Sequence, residues 1–403
     1  MILRIAWRNI WRSRNRSLVI IGSMGLGLWA ALFITAFYNG TMEQRIRSAI
    51  DMELSHIQVH HPQFRDDYDL QFRLPDGHRI VQEVGRMPEV DAVAGRIVVQ
   101  GMASSASGSA GVRIQGVMPE QEKKVSRLYT QVREGNFLQE KGKHEVVLGK
   151  RLMKKLKLNP GSKMILTFND ATGNIASGAF RITGVFETVS TPFDESQVFI
   201  HVREASELTA LGTELNELAL RLKEDGLLDP AVLALKKRWP SLSVQTWKEI
   251  DPEMELLVAS FDSMMLVYMA IIMLALAFGI VNTMMMSVLE RTREIGMLLS
   301  LGMNKARVFG MITLETILLV LAGCPAGILA ATVTIMITRK TGISLKMFSE
   351  AFSSFGYSDM VYPSLTMRQF VTMMIMVICT ALVSAIFPAR RALSLKPAEA
   401  IRK

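Results

Sequence analysis

Residues 263–289 read SMMLVYMAIIMLALAFGIVNTMMMSVL, and none of these 27 positions carries a charge. As an α-helix the run is about 40 Å long, more than the roughly 30 Å of a bilayer's hydrocarbon core. A membrane span is the direct reading, and it sends the search outward for others. Residues 18–38 are uncharged, residues 308–338 contain one charge, Glu315, and residues 370–387 are uncharged again. Between residues 39 and 262 no such run occurs. This unevenness explains how a chain of 403 residues, 49% hydrophobic and 21% charged, reaches a mean hydropathy of +0.25. The expected fold is an integral membrane α-helical protein with four transmembrane helices. A large mixed α/β extracytoplasmic domain is expected between helices one and two.

The first run is too long for the apolar core of a signal peptide, and Tyr38-Asn39-Gly40 is not a small-x-small cleavage site, so it is expected to remain as an anchor. Orientation follows from Lys and Arg. Residues 1–17 hold Arg4, Arg8, Arg12, Arg14 and Arg16. Residues 290–307 hold Arg291, Arg293, Lys305 and Arg307, and residues 388–403 hold Arg390, Arg391, Lys396, Arg402 and Lys403. Residues 339–369 hold only Arg339, Lys340, Lys346 and Arg368. The first three segments are therefore expected in the cytoplasm, with both termini there. Residues 39–262 and 339–369 are expected outside. Arg339 and Lys340 dissent weakly, and snorkelling accommodates them. The net charge of +9 is explained by these helix ends and by anionic lipids, so nucleic acid is not an expected partner. Cys324 and Cys379 both fall in membrane runs, and the outer domain has no cysteine.

Leu3, Trp7, Ile10 and Trp11 share a helical face beside Arg4, Arg8 and Arg12, the pattern of an amphipathic helix lying at the interface. Gly22, Gly25 and Gly27 in helix one permit close helix approach, or are ordinary glycine usage in a membrane helix. In the outer domain, periodicity and turn residues predict strands at 57–60, 93–102, 112–117, 145–148, 164–168, 180–186, 198–201 and 243–245. Helices are expected at 78–86, 150–156, 203–211 and 229–238. Residues 104–111 read as a flexible stretch, and Pro252 as the start of a helix leading into the second span.

Catalytic signatures are missing. No phosphate-cradling loop occurs; the nearest string, Gly135 to Lys143, has the wrong spacing and is followed by His144. Gly-x-Ser-x-Gly and His-Glu-x-x-His are absent. His56, His60 and His61 cluster in sequence, but on a strand His56 and His60 stand about 13 Å apart, too far for one metal. A histidine-rich surface strand is the expected explanation. No catalytic residue, metal or cofactor is expected.

The informative segment follows the second span: Glu290-Arg291-Thr292-Arg293-Glu294-Ile295-Gly296-Met297-Leu298-Leu299-Ser300-Leu301-Gly302-Met303-Asn304. Ile295, Leu298, Leu299 and Gly302 recur at helical spacing, which predicts a short amphipathic helix. Gly302 suits its C-terminal end and Asn304 the N-cap of the next helix. Such a helix between two spans suits a lever pushed by a cytoplasmic partner, or is simply a positively charged hairpin loop.

Asn282-Thr283-Met284, Ser287-Val288-Leu289-Glu290-Arg291-Thr292-Arg293-Glu294-Ile295-Gly296 and Leu301-Gly302-Met303 resemble the signature of FtsX-like ABC transporter permeases, the MacB and LolC/LolE group. Phe387-Pro388-Ala389-Arg390-Arg391-Ala392 and Lys396-Pro397-Ala398-Glu399-Ala400-Ile401-Arg402 resemble that family's end. Val147-Leu148-Gly149-Lys150 and the run from Leu156 to Lys163 resemble its outer domain. The resemblance implies two paired permeases, homo- or heterodimeric, each bound by a separate ABC ATPase subunit. It implies a coupling helix at about 293–302, with Glu290, Arg291, Arg293 and Glu294 at the ATPase contact. Glu315 is then an intramembrane acid of functional interest or a helix-packing acid, and Gly323 and Gly327, beside Pro325, a small-x-x-x-small packing pair. No fused ATPase is expected, so the ATPase is expected on another chain. The segment 169–179 is short and lacks proline, where the LolC subunit has a proline-bearing hook that recruits a periplasmic carrier, so the chain looks more LolE-like or generic. The implied location is the bacterial inner membrane. The implied activity is lipoprotein release, with export of a peptide or small molecule through an adaptor, or activation of an extracellular hydrolase, as the other readings.

Overall fold

The computed structural model describes residues 14–393. The amphipathic face at Leu3, Trp7, Ile10 and Trp11 and the tail from residue 394 lie outside them. Among the described residues, four helices are long and apolar enough to cross a membrane: α1 (Arg14–Ser48), α2 (Pro252–Glu290), α4 (Lys305–Thr341) and α5 (Met367–Leu393). A short helix, α3 (Thr292–Ser300), lies between α2 and α4 in sequence. The chain divides into two compact units. One holds the chain to Met42, Ala259–Ser344 and the chain from Met360; the other holds Glu43–Val258 with Leu345–Asp359.

The helical unit packs around small residues. A Cβ on Gly327 would lie 2.6 Å from the Gly25 carbonyl oxygen, and one on Gly323 would lie 2.9 Å from the Met24 Cβ. The backbones of α1 and α4 therefore meet where only glycine fits, the arrangement that dispersion and close packing favour in lipid. Gly27 faces the Leu276 side chain of α2 instead of its backbone. Gly22 is different: nothing stands within 4 Å of its Cβ position, so its expected packing role is not realised in this chain. Met24, Leu28, Met273, Leu276, Ile312 and Leu319 fill the interior. Polar ties join the helices, with Trp29 Nε1 donating to Thr334 Oγ1 at 3.1 Å and Gln369 Nε2 donating to Asn39 Oδ1 at 2.9 Å. Leu266, Leu274 and Phe278 stay exposed on α2, as lipid-facing residues do.

The second unit is a mixed α/β domain around a ten-stranded sheet. Its strands are β1 (Ile57–His60), β2 (Val90–Ser105), β3 (Gly108–Val117), β4 (Val132–Gly135), β5 (Glu145–Gly149), β6 (Lys163–Asn169), β7 (Ile175–Phe186), β8 (Gln197–His201), β9 (Glu217–Leu222) and β10 (Ser243–Thr246). They run in the order β10-β1-β9-β2-β3-β8-β5-β7-β4, with β6 between β2 and β7. Pairs β3·β8 and β5·β7 are parallel. β2 organises the sheet: its first half pairs with β9, its second half with β6, and its length with β3. Residues 94–99 of β2 are buried on both faces. That burial includes a charge, since Arg96 donates to Glu122 at 2.7 and 2.9 Å and to Glu217 at 3.1 Å. Burial disfavours the guanidinium's charge, but the two carboxylates outweigh it and raise its pKa.

The stretch 104–111 is an ordered hairpin. Ser104 pairs with Ser109 and Ser105 with Gly108, and Ser107 N donates to Ser105 Oγ at 3.1 Å. Glycine and serine there serve a tight turn rather than flexibility. β1 is not a surface strand either; it lies between β9 and β10, and all four of its residues are buried.

Candidate functional site: the α2–α3–α4 segment

α2 ends where Thr292 Oγ1 donates to the Leu289 carbonyl at 2.7 Å, and Arg291 leaves helical geometry at φ −104°, ψ 21°. α3 then ends on Gly302, whose φ of +84° is the left-handed region that glycine enters without strain. Gly302 N donates to the Leu299 carbonyl at 3.1 Å and Met303 N to the Leu298 carbonyl at 3.0 Å. This pair of bonds is a Schellman stop. Two residues later Asn304 Oδ1 accepts from Ala306 N at 3.0 Å and starts α4. The reversal therefore needs only 301–304, and both of its capping residues were readable in the sequence.

The faces of α3 differ. Ile295 and Gly296 are buried, and Arg291, Glu294, Leu298 and Leu299 are half-buried. Arg293, Met297, Ser300, Leu301 and Gly302 are exposed, Leu301 at 82%. Arg293, Met297 and Leu301 are four residues apart and so form one stripe. Glu290, at the end of α2, is exposed as well.

Beneath α3 lies a small cavity of about 90 Å³, bordered by Met284, Val288, Arg291, Ile295, Leu298 and Glu315 among others. Arg291 Nη1 donates to Glu315 Oε1 at 3.0 Å and to Oε2 at 3.3 Å. Only 14% and 6% of the two side chains are exposed. Of the charged residues expected at a partner contact, Glu290 and Arg293 are exposed, Glu294 is partly covered, and Arg291 turns inward. The Arg291–Glu315 contact was not legible in the sequence, where the two lie 24 residues apart. The one available signal was a lone acid in an apolar run following a segment rich in arginine.

The histidines are dispersed. His56 Nε2 lies 3.2 Å from Asp225 Oδ1, the His60 ring nitrogens lie 3.0 and 3.1 Å from the His61 carbonyl and Gln245 Oε1, and His61 stacks on Phe72. Among the described residues no group of three or more His, Cys, Asp or Glu could hold a metal ion.

Comparison with known proteins gives a consistent picture. Residues 17–238 match the family described as MacB-like periplasmic core domain, and residues 266–397 match the FtsX-like permease C-terminal region. The chain is 23% identical to the lipoprotein-releasing system transmembrane protein LolC of Neisseria meningitidis, over 96% of this chain and 94% of that one. It is 21% identical to LolE of Haemophilus influenzae over 78% of each chain. A macrolide export ATP-binding/permease protein MacB from Chlorobaculum tepidum is 32% identical over 31% of this chain and 16% of that one. Among solved structures, the periplasmic region of MacB from Actinobacillus actinomycetemcomitans covers 53% of this chain and 98% of its own at 14% identity, with a TM-score of 0.37.

Proposed function

Because the chain belongs to the MacB-like periplasmic core domain family and is an FtsX-like permease of the MacB/LolC/LolE group, we propose that it releases lipoproteins from the bacterial inner membrane, driven by a separate ATPase. ATP-driven motion would enter at α3 and pass through the membrane helices to residues 39–262, held outside the membrane with both termini in the cytoplasm.

The observation that carries this reading is the construction of α3. A nine-residue helix is pinned between two long apolar helices, with an apolar and basic stripe turned outward. Met297 is 54% exposed and Leu301 82%, an arrangement suited to insertion into a groove on a partner. Lipoproteins are favoured as cargo because the relatives named for lipoprotein release match along most of the chain, whereas the MacB match is local. That local match supports export of a small molecule through an adaptor as the second reading. Either reading requires a second permease, the same chain or a relative, and contact with membrane lipids.

The test is purification of the chain from its native membrane in mild detergent, with mass spectrometry of what accompanies it. An ATPase with a second permease and acylated lipoproteins is the expected result. An ATPase with a membrane-fusion adaptor would replace lipoprotein release with export. Leu301→Glu, which sets a carboxylate on the exposed stripe, should lower ATPase recovery about tenfold, the effect of losing one anchor residue, and leave membrane insertion unchanged. Full ATPase recovery with this variant would move the contact off α3.

A further inference from the structure

The pair formed by Arg291 and Glu315 has no role in a surface that faces a partner, because both side chains are turned inward. Its position suggests another one. α3 is tied to α4 at its C-terminal end by the short reversal at Gly302 and Asn304. Its other end is held by the chain link to α2 and its inward face by the burial of Ile295 and Gly296, neither of them a polar tie to α4. Arg291 supplies the second tie at the opposite end of α3, reaching Glu315 in the third turn of α4. Arg291 is also the residue at which the α2 helix breaks before α3 begins. One side chain thus sits at the α2–α3 joint and holds it against α4. Enclosure beside an apolar cavity strengthens the attraction between the two charges and makes either costly to leave alone.

We infer that Arg291 and Glu315 form a strut that makes α3 and α4 move as one body. They are positioning residues, acting through α3. A force applied to α3 is then delivered to α4 instead of being lost in rotation about the Gly302 reversal. As a transmission device this rests on the reading of α3 as the ATPase contact; as a mechanical tie it does not.

Two measurements separate these. The first needs no ATPase: hydrogen exchange of the full chain in lipid nanodiscs, wild type against Glu315→Gln. Glutamine keeps the shape and removes the charge. Exchange in residues 292–300 should accelerate about tenfold while the α4 amides keep their protection. Unchanged exchange in α3 overturns the strut, and so does equal loss along α4, which would mean general unfolding. The second is ATP turnover of the reconstituted complex. Glu315→Gln should retain the ATPase in wild-type ratio with an unchanged KM for ATP, and its kcat should fall about tenfold.

Arg291→Lys should stay within about threefold of wild type, because the one nitrogen Nη1 makes both bonds to Glu315 and a point charge can replace it. The lysine variant also decides the matter if Glu315→Gln does not fold: rapid exchange in its α3 would overturn the inference. A wild-type chain that recruits no ATPase would sink the functional reading and leave the exchange result to judge the strut.

Discussion

At the scale of single residues, the domain unit holds carboxylates whose surroundings oppose their charge. Asp194 is 2% exposed and accepts from Thr188 N at 3.1 Å and Thr188 Oγ1 at 2.8 Å. Burial outweighs those bonds, Glu187 and Glu53 add repulsion, and the carboxyl is pushed up to about 7. The folded chain therefore keeps a proton that the unfolded chain releases near the ordinary carboxylate value. The contribution of Asp194 to stability is full below about pH 4 and is lost as pH rises through 7. Asparagine keeps the acceptor for Thr188 and cannot ionise. Asp194→Asn should flatten the fall of the melting temperature between pH 5 and 8, and above pH 7 should be the more stable protein by about 1–3 kcal/mol. Parallel pH profiles for the two chains would show that Asp194 titrates normally. Arg96 is the opposite case. Its two carboxylates, Glu122 and Glu217, are buried with it, so removing Arg96 would leave both acids buried without their cation.

Among the elements, legibility followed how local the cause of each structure is. Turns and caps are set by a few neighbouring residues, and Gly302, Asn304 and Pro252 were all readable. Short apolar runs that hold β-branched residues, such as β5 and β8, were readable for the same reason. β9 was not. Its sequence Glu217-Leu218-Ala219-Leu220-Arg221-Leu222 consists of good helix formers, and it becomes a strand because β1 and β2 offer ladders on both sides. The alternation of Leu218, Leu220 and Leu222 was the signal present. The glycines of α1 show the same limit, for Gly22, Gly25 and Gly27 look alike in sequence and only packing tells them apart. Gly327→Leu should force α1 and α4 apart and cost about 1–3 kcal/mol as overpacking, whereas Gly22→Leu, with open space around it, should be tolerated. Thermal unfolding in detergent checks both, and equal melting points for the two variants would remove the assigned crossing.

At the scale of the whole molecule, two helices run across the division between the two units in the chain. α1 is one helix from Arg14 to Ser48 and α2 one helix from Pro252 to Glu290, while the division falls at Met42/Glu43 and Val258/Ala259. α2 leads directly from the domain to Arg291, the joint at which α3 begins. The reading of α3 as the entry point for force requires α3 itself to be seated firmly. Gly296 is part of that seating, since it is buried on the inward face beside Ile295. An arginine on that buried face is costly, because its charge must be taken out of water. Gly296→Arg should lift α3 from its bed while the four long helices, whose apolar lengths are untouched, still insert. In a reconstituted complex ATP turnover should become independent of the permease, with a fall of about tenfold or more in the stimulated rate, the size expected when a lever loses its support. Stimulated turnover equal to wild type would show that force enters the molecule elsewhere than α3.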